Sequence, residues 1–119
     1  MGLIFYLSEQ PGSEIHLPAP DYLLHALAFG GLSFCLYSAL RSSGASLLVA
    51  HGVAVLGTLL YGISDELHQM VVPGRVASVS DVIADLVGAL VVQTGLWLLT
   101  RVVPKEKRGG PKESDIHIR

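Results

Sequence analysis

The side chains in this sequence that could do chemistry are ionisable residues at the ends of apolar segments. Asp21 and His25 are four residues apart, and so are Asp81 and Asp85. Residues at this spacing share one face of a helix, so each pair is predicted to present two polar groups on the same side. The full set of ionisable residues at these segment ends is Asp21, His25, Asp65, Glu66, His68, Arg75, Asp81 and Asp85.

Four interpretations of this polar set are open. The first is a structural network in which the Arg75 guanidinium forms a forked pair with a carboxylate. The second is a binding site for a ligand or a lipid headgroup. The third is a catalytic pair in which a carboxylate and a histidine act as base and orienting group. A metal site is the fourth, because His, Asp and Glu suit zinc. The sequence lacks a metalloprotease spacing such as His-Glu-x-x-His. We therefore expect no metal and no cofactor, and we favour a role other than catalysis.

Three apolar segments must position these residues, at 22–40, 45–64 and 82–100. The first two contain no Lys, Arg, Asp or Glu, and the third contains only Asp85. A helix rises ~1.5 Å per residue, so each segment would be roughly 28–30 Å long, close to the hydrocarbon core of a bilayer at about 30 Å. The predicted fold is an all-α bundle of three transmembrane helices in a lipid bilayer, with a short N-terminal apolar stub at residues 2–7.

Composition agrees with a membrane protein. Half of the residues are hydrophobic and 15% are charged, whereas soluble domains carry about 25% charged residues. The single cysteine, Cys35, excludes an intramolecular disulfide. We expect no nucleic-acid partner, and the sequence leaves a homo-oligomer open. Residues 1–103 are predicted to form the membrane domain, and the charged residues 104–119 a disordered basic tail.

Basic residues are unevenly distributed, which predicts an orientation. Of the eight Lys and Arg residues, only Arg75 lies between the second and third segments. The other seven follow the first or the third segment: Arg41, Arg101, Lys105, Lys107, Arg108, Lys112 and Arg119. Loops rich in Lys and Arg stay in the cytoplasm. We therefore expect a multi-pass protein of the cell (inner) membrane with a cytoplasmic C-terminal tail. The polar set at the helix ends would then face outward.

Local signals predict where the helices begin and turn. Asp21 follows two prolines and is predicted to cap the first helix, while Ser80 or Asp81 caps the third. Pro73-Gly74 is typical of a turn. His51 lies inside the second segment, away from the polar set, and we interpret it as hydrogen-bonded to a neighbouring helix.

Several short motifs occur in a fixed order along most of the chain. They are Asp21-Tyr-Leu-Leu-His25, Ser64-Asp-Glu-Leu-His-Gln69, Pro73-Gly-Arg75, and then Ser78, Asp81 and Gly88. In this order the sequence resembles the VanZ-like family, whose pattern has Asp-Lys-x-x-His, Asp-Glu-x-x-Gln, a Pro-Gly-Arg turn and Asp-x-x-x-Asn-x-x-Gly. The chain departs from that pattern at Tyr22, where Lys is frequent, and at Asp85, where Asn is frequent. The family usually has one more N-terminal helix, and in this chain that helix is reduced to the stub.

The resemblance implies a small bacterial membrane protein of the cell envelope, and the founding family member is associated with resistance to the glycopeptide teicoplanin. We expect an outward-facing polar pocket that recognises a glycopeptide or an envelope component. The alternatives are a membrane-embedded enzyme acting on a lipid-linked substrate, with His25 or an acid as base, and an accessory or structural subunit. The candidate binding residues are Asp21, His25, Asp65, Glu66, His68, Gln69, Arg75, Ser78, Asp81 and Asp85.

Overall fold

The protein folds into three long helices. The computed structural model describes residues 2, 6 and 20–103. Of the predicted stub only Gly2 and Tyr6 are described, both as helix, and the predicted tail at 104–119 lies outside the described residues. The helices are α1 (Asp21–Ser42), α2 (Leu47–Gln69) and α3 (Val79–Val102). Each is long and apolar enough to cross a membrane, and the described part of the chain has no strand. The predicted all-α, three-helix membrane fold is confirmed.

Serine side chains cap two of the helices. Ser46 accepts a hydrogen bond from the amide of Val49 at the start of α2, and Ser78 accepts one from the amide of Ser80 at the start of α3. The predicted caps were wrong. Extended Pro20 precedes α1 without any side-chain cap, and Asp21 is already helical. In that first turn its carboxylate is placed favourably relative to the helix dipole.

The second helix begins and ends later than its apolar segment. It continues from the predicted end at residue 64 through Gln69, and this extension places three polar side chains inside the bundle. Asp65, Glu66 and Gln69 are all buried. The chain then turns at Pro73-Gly74 as predicted: Gly74 has φ +78, and the amide of Arg75 donates to the carbonyl of Val72 at 3.2 Å.

The interior of the bundle is rich in polar and small residues, with a few large side chains such as Phe29, while its surface is apolar. Large apolar side chains such as Leu48, Leu56 and Val91 are exposed, and Cys35 is exposed too. The buried polar residues are Ser33, Thr58, Asp65, Glu66, Gln69, Asp85 and Gln93. Helices in lipid gain nothing from hiding leucine, and associate instead through close packing and hydrogen bonds between them. The distribution therefore fits a bundle with hydrocarbon around it.

Small residues let α1 and α3 approach each other closely. A Cβ added to Gly30 would lie 3.2 Å from the carbonyl oxygen of Gly88. A Cβ added to Gly88 would overlap the carbonyl oxygen of Ala26. The Ala26-x-x-x-Gly30 spacing on α1 thus faces Gly88 of the Ala84-x-x-x-Gly88 spacing on α3, which is the arrangement that brings membrane helices into backbone contact. This crossing fixes the polar ends of the two helices beside each other.

Candidate functional site

Five polar residues meet at one end of the bundle, where α1 and α3 begin and α2 ends. We call them the outer cluster: His25, Glu66, Ser78, Asp81 and Asp85. The start of α1 lies beside the end of α2, because His25 is within 4.0 Å of Glu66. It also lies beside the start of α3, because His25 is hydrogen-bonded to Asp85. Polar groups from all three helices therefore converge here, as predicted, through four side chains and the backbone amide of Ser78.

One side-chain pair in the outer cluster joins α1 to α3. His25 Nδ1 and Asp85 Oδ1 are 3.0 Å apart, and Asp85 is 0% exposed. The imidazole ring stacks on Phe29, with ring centroids 5.9 Å apart and planes 6° from parallel. The hydrogen bond and the stacking hold the ring in one orientation, so its other nitrogen, Nε2, faces Glu66 of α2.

The second oxygen of Asp85 lies against the backbone of α2. A Cβ added to Gly62 would be 2.5 Å from Asp85 Oδ2, so only glycine leaves room for this carboxylate at Gly62. Oδ2 is buried and has no hydrogen-bond partner among the described residues. Asp85 is thus enclosed by all three helices and is tied to His25 by one oxygen only.

Glu66 links α2 to the start of α3 with one oxygen and leaves the other unmatched. Its Oε2 accepts a hydrogen bond of 2.7 Å from the amide of Ser78, the residue that caps α3. Its Oε1 is buried, has no hydrogen-bond partner in the part of the chain described, and lies 4.0 Å from His25 Nε2. A carboxylate oxygen of Asp81, which is half-buried, lies within 4.8 Å of one ring nitrogen of His25 and of one carboxylate oxygen of Glu66.

The other predicted site residues lie around this cluster or away from it. Asp65 and Gln69 are buried one turn apart, and Gln69 Nε2 donates to Asp65 Oδ2 at 3.1 Å. His68 and Arg75 are half-buried. Asp21 is exposed in the first turn of α1, so the structure does not bring it into the outer cluster although it shares a helix with His25. Asp21 is therefore exposed whereas His25 is half-buried, although their spacing predicts one shared helix face.

A second polar layer lies deeper in the bundle, and the sequence predicted only its His51 hydrogen bond. His51 Nδ1 and Gln93 Oε1 are 2.7 Å apart, which confirms the predicted hydrogen bond from His51 to a neighbouring helix. Gln93 Nε2 donates to the hydroxyl of Ser33 at 2.8 Å and to its carbonyl at 3.1 Å. Tyr37 packs on the His51 ring at 4.6 Å. The sequence signal that was missed is an amide side chain in the middle of an apolar segment, which needs partners in lipid.

Phe29 separates the two layers. His25, Phe29 and Ser33 are spaced by four residues along one face of α1, and Phe29 is fully buried between them. Its ring contacts His25 on one side and packs against Tyr61 at 6.0 Å. The outer cluster is therefore a separate polar site at one end of the bundle.

The outer cluster is rich in acceptors that lack matching donors. Three of its side chains are carboxylates, and an oriented imidazole faces two of them. Buried polar atoms are stabilised only when they are hydrogen-bonded or matched by charge. Such an arrangement suits a cationic or donor-rich guest, or a base that is held in position by a carboxylate.

Comparisons with known proteins identify one family. The VanZ/LLP1 family model matches residues 1–100 of the chain, a range that includes all three described helices up to the last turn of α3 and every residue of the outer cluster. No curated protein and no solved structure matches this chain significantly.

Proposed function

This chain belongs to the VanZ/LLP1 family, and we propose that this membrane protein uses its outer cluster to recognise a polar or amphiphilic component of the bacterial cell envelope. A glycopeptide such as teicoplanin is the first candidate, through the family resemblance. The observation that carries the proposal is the buried Oε1 of Glu66, which faces His25 across 4.0 Å without a hydrogen-bond partner among the described residues.

The chemistry of the cluster supports a ligand with several donors. Peptide amides and sugar hydroxyls can donate to Glu66 and Asp81, and a site built to pair with such groups rejects molecules that leave its buried acceptors unpaired. Arg75 is half-buried and lies three residues before the α3 cap Ser78. Its guanidinium would bind an anionic group of the same ligand in a forked geometry.

We place the outer cluster on the outside of the cell (inner) membrane, with the α1–α2 loop and the C-terminal tail in the cytoplasm. The distribution of Lys and Arg supports this orientation. In a Cys35→Ser background, Val76→Cys is expected to react with a membrane-impermeant maleimide in intact cells, whereas Ser43→Cys reacts only after the membrane is permeabilised. Both positions are exposed loop residues. Labelling of Ser43→Cys in intact cells, with Val76→Cys protected, would reverse the orientation.

The recognition proposal predicts loss of binding without loss of protein. In detergent-purified protein titrated with fluorescently labelled teicoplanin, Glu66→Ala and Arg75→Ala are expected to weaken binding at least about tenfold, since each removes a charged contact worth about 1.5–3 kcal/mol. Expressing the same variants in a teicoplanin-sensitive host and measuring the inhibitory concentration tests the role in cells. Membrane abundance is measured by immunoblot for every variant.

Thr100→Ala is the matched control, because Thr100 is an exposed polar residue at the opposite end of α3 and its hydroxyl bonds only the carbonyl of Trp97 in its own helix. It should bind teicoplanin as the unmodified protein does. If the unmodified protein does not bind teicoplanin, the proposed ligand is wrong. If Glu66→Ala and Arg75→Ala are instead both lost from the membrane, these residues form a structural network, and the result favours an accessory or structural subunit.

One observation favours a second function, a membrane-embedded enzyme that acts on a lipid-linked substrate. The His25–Asp85 pair has the arrangement of a general base and its orienting carboxylate, with Nε2 facing the rest of the cluster. An enzyme must change its substrate. A new lipid species seen by mass spectrometry after purified protein is incubated with envelope lipids would favour this function over recognition.

A further inference from the structure

Three side chains from three different helices offer metal-binding atoms to one point in the outer cluster. His25 of α1, Glu66 of α2 and Asp81 of α3 each contribute one such atom, and the three atoms lie within 4.8 Å of one another. The residues are far apart in the sequence and form no recognised ligand motif. For that reason the sequence alone favoured a site without metal, and the juxtaposition appears only in the folded bundle.

A second observation is that one carboxylate oxygen of Glu66 has no hydrogen-bond partner in the described part of the chain. The Glu66 side chain is 7% exposed, and its Oε1 lies 4.0 Å from His25 Nε2. That oxygen has no hydrogen-bond partner among the described residues, although the other oxygen of the same carboxylate is bonded to the amide of Ser78. A carboxylate oxygen that is buried away from water requires a donor or a cation. Here the imidazole nitrogen His25 Nε2 lies beyond hydrogen-bond distance, at 4.0 Å.

The remaining contact of His25 is the one that metal-binding histidines characteristically make. A histidine that binds a metal through one ring nitrogen usually donates the other N–H to a carboxylate, which fixes the tautomer and the ring orientation. His25 Nδ1 is 3.0 Å from the fully buried Asp85 Oδ1. With the Nδ1 proton directed to Asp85, Nε2 presents a lone pair toward Glu66 Oε1, 4.0 Å away.

We propose that His25, Glu66 and Asp81 bind one divalent transition-metal ion, with zinc as the expected metal and Asp85 as the positioning residue for His25. One imidazole and two carboxylates form a donor set that zinc accepts, and three protein ligands leave a fourth position open. Donor atoms around a tetrahedral zinc ion are about 3.3–3.6 Å apart. Binding would therefore draw the three side chains together by about 1 Å, chiefly through Asp81, which is half-buried at the edge of the cluster.

The charge of the ion explains why two carboxylates converge here. A bound divalent cation is the largest local charge in its site, and it would neutralise Glu66 and Asp81 at the place where they face each other. The open fourth position would accept an oxygen of the envelope ligand. This role for the ion rests on the proposed recognition function, whereas the binding of the ion itself does not.

The test measures zinc on the full-length protein purified in dodecylmaltoside, stripped with EDTA and then titrated with ZnCl₂. Bound zinc is counted by plasma mass spectrometry after gel filtration, and affinity is measured by competition with a chelating dye. About one zinc ion per chain is expected, as the donor set predicts. Asp81→Asn and Glu66→Gln should each weaken zinc binding by at least about tenfold, the lower end of the loss seen when even an outer partner of a ligand is removed.

Two features keep this test decisive. Glu66→Gln retains an amide oxygen for the Ser78 hydrogen bond, and helicity measured by circular dichroism verifies that both variants fold. Asp21→Asn is the matched control, because it removes an exposed carboxylate four residues from His25 and outside the three-residue set; its zinc affinity should equal that of the unmodified protein. Zinc no higher than in a buffer blank overturns the inference. So does unchanged affinity in both cluster variants, which would place the zinc elsewhere, as at His16 or His117.

The two proposals fail separately. Zinc is measured without teicoplanin, so a protein that binds one zinc ion through His25, Glu66 and Asp81 but does not bind teicoplanin would refute the proposed function and leave the metal site standing.

Discussion

Gly88→Ala is expected to destabilise the bundle by about 3 kcal/mol, the upper end of the usual cost of overpacking a core. The added Cβ would overlap the carbonyl oxygen of Ala26 on α1. A side chain could rotate away from such a contact, but a helical backbone cannot, so α1 and α3 must separate. Separation would also break the His25–Asp85 hydrogen bond, which joins the same two helices. Unfolding in mixed dodecylmaltoside and SDS micelles, followed by circular dichroism, measures the loss.

Gly95→Ala provides the control within the same helix. A Cβ at Gly95 meets nothing within 4 Å, and alanine is favoured over glycine in a helix interior by roughly 0.5–1 kcal/mol. Gly95→Ala should therefore be as stable as the unmodified protein or slightly more stable. Equal stability of the Gly88 and Gly95 variants would show that α1 and α3 are not in backbone contact at this crossing.

The number and type of the helices could be predicted because lipid imposes a simple requirement on sequence. A span must be about 20 residues long and nearly free of charge, and the three apolar segments meet that requirement without reference to any partner. The last turn of α2 shows the limit of this reasoning. Asp65, Glu66 and Gln69 are polar, so the segment was ended before them, yet all three are buried in the bundle. Their burial depends on how the helices pack, which the composition of one segment does not show.

The outer cluster was predictable as a region but not as a set of contacts. Spacing within one helix indicates which residues share a face, and it correctly grouped polar residues at the three helix ends. It cannot show which residue of one helix meets which residue of another. The His25–Asp85 pair and the Glu66–Ser78 bond both join different elements, and Asp21 is exposed although its spacing from His25 is ideal. Gln93 was missed for the same reason, since its partners Ser33 and His51 lie on the other two helices.

His25→Leu is expected to destabilise the protein by about 3 kcal/mol or more, the cost of leaving a buried charged acceptor without its hydrogen-bond partner. The substitution would leave Asp85, which is 0% exposed, without the hydrogen bond that its Oδ1 makes. Its Oδ2 already lacks a hydrogen-bond partner in the described part of the chain, and Gly62 encloses it on the α2 side. The carboxylate would then have neither a donor nor access to water. The free energy of unfolding in the same mixed micelles measures the loss.

The double variant His25→Leu, Asp85→Ala separates this cause from a simple loss of packing. Once the carboxylate is also removed, no polar group is stranded, and the double variant should be more stable than His25→Leu alone. The coupling energy between contacting residues is typically about 0.5–3 kcal/mol, so recovery within or above that range indicates that the stranded carboxylate caused the loss. If the double variant is less stable than the unmodified protein by the sum of the His25→Leu and Asp85→Ala effects, the two side chains do not depend on each other. The His25–Asp85 hydrogen bond would then contribute nothing to holding α1 against α3, and the orientation of the imidazole would have to come from its stacking on Phe29.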